Sequence, residues 1–269
     1  MPQFKAKSGI EWFYDIEGDG EPLIFIHGWG MDRRIWRQQL KYFVQGYKTL
    51  SIDLPGHGKS SWGDISFSDM ATDIHQIFEY EKLNHVTLVG SSLGGLFALK
   101  YFSEFPEKIK RMIFVGSLPK FSKSDDYPHG FDLNEMKKLD MHVDDAYPAI
   151  IDIFFRSLFT KQERATRRYK WMQKFKSFDV KPVQMALKSY LHILEHADLR
   201  ENLKEVNVPM QFINGAEDHI CSRETVYFLK EITHTETRFD LFHQCGHFPF
   251  LSRAYEFNDI MEAFLKQTS

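Results

Sequence analysis

Val86-Thr87-Leu88-Val89-Gly90-Ser91-Ser92-Leu93-Gly94-Gly95-Leu96-Phe97-Ala98-Leu99-Lys100 reads as a short apolar strand running through a tight turn into a helix. The serine at the turn, flanked by Gly90 and Gly94, has the G-x-S-x-G spacing of a nucleophile elbow. Such a turn bends the backbone sharply and crowds it against its neighbours. Glycine, having no Cβ, tolerates that crowding and leaves the Ser92 hydroxyl standing above the sheet edge.

A serine hydroxyl is a weak nucleophile until a base takes its proton, so the elbow demands a histidine and an orienting carboxylate further on. Asp218 follows the strand-like Met210-Gln211-Phe212-Ile213, with Glu217 as its rival. His247 lies in Cys245-Gly246-His247-Phe248-Pro249-Phe250, beyond the strand-like Thr237–Phe242. His243 competes, but it sits at the strand's end rather than in the loop, and Gly246 and Pro249 favour His247. An oxyanion hole needs backbone N–H donors aimed at the attacked carbonyl oxygen. The elbow supplies Leu93, and the turn His27-Gly28-Trp29-Gly30 after the apolar Leu23–Ile26 supplies Trp29.

The segments His27–Gly30, Asp53-Leu54-Pro55-Gly56-His57-Gly58-Lys59-Ser60 and Gly90–Gly95, with Asp218 and His247, resemble the α/β-hydrolase superfamily across nearly the whole chain. Within it the chain is most similar to the carboxylesterases of biotin synthesis that remove the methyl ester from pimeloyl-acyl carrier protein. His27–Gly30 with Trp36 downstream, Ser92–Leu96, Ile193-Leu194-Glu195 with Asp198-Leu199-Arg200, and His247–Phe250 carry that closer similarity. The resemblance implies a serine carboxylic ester hydrolase needing no cofactor, and an acidic acyl carrier protein as the bearer of its ester. Haloalkane dehalogenases and epoxide hydrolases of this superfamily have aspartate where Ser92 stands. Thioesterases, lactonases, carbon–carbon bond hydrolases, perhydrolases and ligand receptors on the same scaffold stay open as alternatives.

Candidate strands at Glu11–Ile16, Leu23–Ile26, Thr49–Ile52, Val86–Val89, Met112–Val115, Met210–Ile213 and Thr237–Phe242 alternate with helical stretches. That alternation predicts an α/β fold with a mostly parallel sheet flanked by helices. Between Val115 and Met210 lies far more chain than one crossover requires, and its periodicity is helical. We therefore expect an α/β-hydrolase core over 1–118 and 198–269, with a helical cap inserted at 119–197.

Within the cap, Ile150, Phe154 and Leu158, and then Ile151, Phe155 and Phe159, recur at i, i+4, i+8. They predict a wide apolar helix face that packs on the core, with Ile150, Phe154 and Leu158 beside Trp29 as candidate linings of an acyl pocket. A second helix is expected to start with a Thr160/Glu163 capping box and to carry the stripe Ala165, Tyr169, Met172. From Arg156 to Lys176 eight basic side chains stand against one acid, Glu163, in a chain of net charge −3. A solvated helix face explains such a run. The alternative is a steering surface for an acidic carrier protein, with Arg164, Arg167 and Arg168 as the patch.

The overall negative charge argues against nonspecific nucleic-acid binding. No apolar run is long enough to span a bilayer and no secretory leader is visible at Met1–Lys7, so a cytoplasmic enzyme is expected. Cys221 and Cys245 fall in the two loops that carry the candidate acid and base. In a reducing compartment they read as packing residues rather than a disulfide, and neither belongs to a metal-ligand pattern.

Overall fold

The chain is seen in a computed structural model that describes residues 2–176, 180–233 and 236–268; for 174–176 only the helical backbone is described. Eight strands, β1 (Gln3–Lys5), β2 (Glu11–Glu17), β3 (Glu21–Ile26), β4 (Tyr47–Asp53), β5 (Val86–Ser91), β6 (Ile109–Val115), β7 (Met210–Gly215) and β8 (Thr237–Phe242), form one sheet. Their order is β1-β2-β4-β3-β5-β6-β7-β8. The first two pairings, β1 with β2 and β2 with β4, are antiparallel; the remainder are parallel. The strands read from sequence are all present, and the three-residue β1 joins them at the edge.

Among the described residues the α-helices are, in chain order, α1 (Arg37–Phe43), α2 (Phe67–Tyr80), α3 (Leu93–Glu104), α4 (Leu133–Asp145), α5 (Ala149–Ser157), α6 (Lys161–Arg164), α7 (Arg167–Lys176), α8 (Gln184–His196), α9 (Arg200–Lys204), α10 (Arg223–Ile232), α11 (Pro249–Ser252) and α12 (Ala254–Gln267). From β3 the chain steps to β4 on one side, then returns past β3 to β5 and continues to β8. Because parallel crossovers are right-handed, that reversal sends α1 to one face of the sheet and α2 and α3 to the other. The packing of α1 on α12 and of α2 on α3 agrees. It also opens a crevice at the carboxyl ends of β3 and β5, where ligands bind in open α/β sheets.

The central strands β5 and β7 are buried throughout, as expected of strands covered on both faces. Helices α4 to α8 lie between β6 and β7, which pair directly through Met112↔Met210. The excursion is closed at its neck, where Leu199 N donates to Pro119 O at 2.8 Å and Lys120 bridges Asp198.

The expected single helix from Thr160 is divided. The capping box is present, Thr160 accepting from Glu163 N and Glu163 from Thr160 N. Six residues after Thr160, however, Thr166 Oγ1 accepts from Tyr169 N at 3.0 Å and so caps a fresh helix, α7. The break leaves Ala165 exposed, while Tyr169 and Met172 are buried.

Candidate active site

Ser92 sits between β5 and α3 with φ 52° and ψ −121°, a conformation that costs a non-glycine residue about 1–3 kcal/mol. Its amide donates to Val115 O at 2.9 Å, and its carbonyl accepts from Ser117 Oγ at 2.7 Å, so neighbouring β6 holds the strained turn. A Cβ at Gly90 would stand 2.4 Å from Gly94 O, and one at Gly94 2.3 Å from Ile26 O. The crowding inferred from sequence is therefore real at both flanking glycines. Leu93 opens α3, where a first-turn amide has no carbonyl partner within the helix.

The register Ile26↔Gly90 brings the His27–Gly30 turn alongside the elbow. A Cβ on Gly28 would meet Ser91 O and Ser92 Cβ, each at 3.2 Å. Two buried imidazoles brace this turn. His27 Nε2 accepts from Leu54 N at 2.9 Å while Nδ1 faces Gly28 O at 2.8 Å; His57 Nε2 accepts from Gly30 N at 3.3 Å. Burial pushes His27 down to about 4 and His57 to about 3, so both are neutral at pH 7 with one nitrogen free to accept. Their part in the site is not visible in the sequence motif itself.

Asp218 and His247 lie beyond adjacent strands, since Gly215 pairs with Phe242. His247 Nδ1 is 2.6 Å from Asp218 Oδ2, and both side chains are buried. Asp218 Oδ1 accepts from Ile220 N at 2.8 Å and Cys221 N at 3.1 Å. The rivals Glu217 and His243 are exposed. The imidazole rests on Gly116, where a Cβ would lie 3.0 Å from its Nδ1, and Gly116 follows the Val115 carbonyl that holds Ser92. Its Nε2 is buried and has no hydrogen-bond partner among the described residues. A ring nitrogen without a fixed partner is one that can exchange a proton with a neighbouring group.

Asp218, Cys221 and His247 offer ligand atoms within 4.8 Å of one another, but the set does not suit a metal. Both Asp218 oxygens are engaged, and burial pushes the Cys221 thiol well above its ordinary range, with its Sγ donating to Gly116 O. Both cysteines are free and buried.

Ser92 lines a small apolar cavity of about 30 Å³. Trp29 and Phe154 line it as expected, their rings edge to face at 4.8 Å, and Trp29 Nε1 donates to Leu187 O in α8 at 2.9 Å. Ile150 and Leu158 do not line it. They are buried in the packing of the cap, and the Leu158 carbonyl instead accepts from His247 N at 2.8 Å. The remaining walls come from Met136 and Leu139 of α4, Leu191 and Leu194 of α8, and Phe121, Phe131 and Ile220. The i, i+3 spacing of these pairs in both α4 and α8 is the signal that could have nominated the helix residues.

The expected basic patch also divides. Arg164 turns inward to cap α5, donating to Phe159 O at 2.7 Å and Arg156 O at 3.2 Å. Arg168 is half-buried, bonded to Leu251 O at 2.8 Å and to Gln38. Arg167 is exposed, together with Arg156, Lys161 and Lys170. Lys174 and Lys176, the other cations of the run, have side chains outside the described residues.

Comparison with protein families matches residues 21–254 to the alpha/beta hydrolase fold. The chain belongs to the α/β-hydrolase family. This α/β-hydrolase is 27% identical over 250 residues to a pimeloyl-[acyl-carrier protein] methyl ester esterase of Nitrosomonas europaea, covering 93% of this chain and 97% of that one. It is 29% identical to the protein of that name from Wigglesworthia glossinidia brevipalpis, covering 95% and 98%. Among solved structures, an esterase from Exiguobacterium antarcticum superposes with a TM-score of 0.90 at 25% identity, covering 98% of both chains. A bromoperoxidase from Bacillus anthracis gives 0.90 at 27% identity, covering 98% of this chain and all of that one.

Proposed function

We propose that this α/β-hydrolase is a serine carboxylesterase acting on the methyl ester of a pimeloyl chain carried by an acyl carrier protein. The observation that carries the chemistry is the buried Asp218–His247 pair, its outer nitrogen unoccupied, behind a strained serine that opens into an apolar cavity. The relatives named for that reaction, matched over nearly the full length of both chains, support the substrate.

In this reading Ser92 Oγ attacks the ester carbonyl while His247 Nε2 takes its proton, and Asp218 holds the Nδ1–H tautomer and stabilises the imidazolium. The Trp29 and Leu93 amides receive the oxyanion, each such donor being worth about 3 kcal/mol. The imidazolium then protonates the departing methoxide to methanol, leaving an acyl-serine. Water attacks that intermediate as His247 takes a second proton, freeing the carboxylic acid and restoring Ser92. The division into a core, 1–118 and 198–269, and a cap, 119–197, follows the same reading. The apolar character of the cavity walls suits a methylene chain, and the exposed cations Arg156, Lys161, Arg167 and Lys170 suit an acidic carrier.

The test is hydrolysis of pimeloyl-acyl carrier protein methyl ester beside a p-nitrophenyl ester by the parent and Ser92→Ala proteins. The expected result is many turnovers by the parent, preference for the carrier-borne ester, and loss of at least a thousand-fold with Ser92→Ala. Activity in Ser92→Ala within tenfold of the parent would remove Ser92 from the chemistry. A single turnover by the parent would make the site a receptor.

A further inference from the structure

Glu163 is a charged side chain only 8% exposed, yet it has no cationic partner among its hydrogen bonds. A buried carboxylate is retained only where several donors satisfy it. Its donors here come from two parts of the molecule. Oε2 accepts from Thr160 N at 2.7 Å, within the cap, and from Gly246 N at 3.0 Å, in the loop after β8; Oε1 faces Cys245 Sγ at 3.3 Å. The residue after Gly246 is His247, whose own amide donates to Leu158 O, five residues before Glu163. The contact is too close for a side chain at Gly246: a Cβ there would lie 2.4 Å from Leu158 O and 3.1 Å from Glu163 Oε2. Cys245, Gly246 and His247 are thus each bonded to the cap, while Cys245 O also accepts from Glu217 N at 3.0 Å in the loop that follows β7.

We propose that Glu163 is a positioning residue, its carboxylate holding Cys245 and Gly246 so that the His247 imidazole keeps its line to Ser92. The inference rests on the reading of Ser92 and His247 given above. Glu163 touches no reacting atom, and it acts through the backbone amide next to the base. A capping box alone would not require it. Ser66 and Asp69 build the same box at the start of α2 with the shorter aspartate, and Asp69 there is exposed.

That comparison supplies the test. Glu163→Asp keeps the charge and the means to cap α6 but is one methylene too short to span from Thr160 N to Gly246 N. Glu163→Gln keeps the length and an oxygen that can take both amides. Measured with a short p-nitrophenyl ester, Glu163→Asp is expected to lower kcat at least tenfold with KM changed less than twofold. Its thermal midpoint should stay near the parent's, and inactivation by a fluorophosphonate, which needs an activated Ser92, should slow in proportion. Glu163→Gln is expected within threefold of the parent in both assays. Thr160→Val, which removes the helix-capping hydroxyl but not the brace, is expected to lower the midpoint and leave kcat unchanged. Glu163→Asp with kcat within twofold of the parent overturns the proposal, as does a loss in Glu163→Gln equal to that in Glu163→Asp. Ser92→Ala is run beside them. If it is inactive while Glu163→Asp is parent-like, the brace alone fails; if it is active, the reading of Ser92 fails and the brace with it.

Discussion

Asp218 receives two backbone amides on one oxygen and the imidazole on the other, and that division fixes what a substitution there would do. In Asp218→Asn the side-chain oxygen would be claimed by the Ile220 and Cys221 amides, turning the NH₂ group toward His247 Nδ1. Nδ1 would then have to accept, placing the ring proton on Nε2, the nitrogen that removes the serine proton in the proposed mechanism. The expected loss in kcat is about 10⁴-fold, as when an orienting carboxylate of this kind becomes an amide. The thermal midpoint should move by only a few degrees. Steady-state kinetics beside a melting curve checks this, and a variant within tenfold of the parent would show that Asp218 does not set the tautomer. At this scale the sequence was informative. The order serine, aspartate, histidine, each behind a strand, selected three residues that the fold brings to one end of the sheet. Asp218 is already preferred over Glu217 in the sequence, and the structure turns Asp218 inward onto His247 while Glu217 is exposed.

The elements around those residues divide by how local their causes are. The brace on the turn after β3 consists of two neutral imidazoles with folded pKa values near 4 and 3, below the ordinary 6.5. Their contribution to stability is complete above pH 6.5 and is lost as pH falls toward 4, because the unfolded chain binds the protons first. Asp53, raised by burial to about 6, acts in the opposite sense, but two depressed imidazoles outweigh one raised carboxyl. Urea unfolding should therefore show stability falling by several kcal/mol between pH 7 and pH 4; a flat profile would mean the brace does not stay neutral. Helix α5 shows the limit of periodicity. Its spacing gave the buried face, since Ile150, Ile151 and Phe155 are all covered, but not which residue meets the cavity. That depends on how α5 lies against α4 and α8, and only Phe154 among the candidate cap residues reaches the lining. The same holds for Arg164 and Arg168, whose long side chains are drawn inward by unpaired helix-end carbonyls that no sequence pattern displays.

Over the whole molecule, a chain of net charge −3 exposes Arg156, Lys161, Arg167 and Lys170 within one stretch, the cations that would steer the proposed acidic carrier. Reversing two exposed charges, Arg167→Glu with Lys170→Glu, is expected to raise KM for the carrier-borne ester about tenfold and leave the p-nitrophenyl ester unaffected. Salt at several hundred millimolar should reproduce the effect in the parent, because exposed charges are screened within about 10 Å. Equal effects on both esters would assign the cations to folding instead.

The pinned neck at Pro119 and Leu199 bears on how such a molecule can be remade. Because the two ends of the excursion meet beside strands already paired with each other, the proposed cap enters and leaves the core at a single point. A cap with different walls could be spliced in at the neck without shifting the register of β6 and β7. A transplanted cap would bring its own pocket lining but would have to supply an acceptor for Gly246, so the brace to the base loop sets the condition on which exchange preserves turnover.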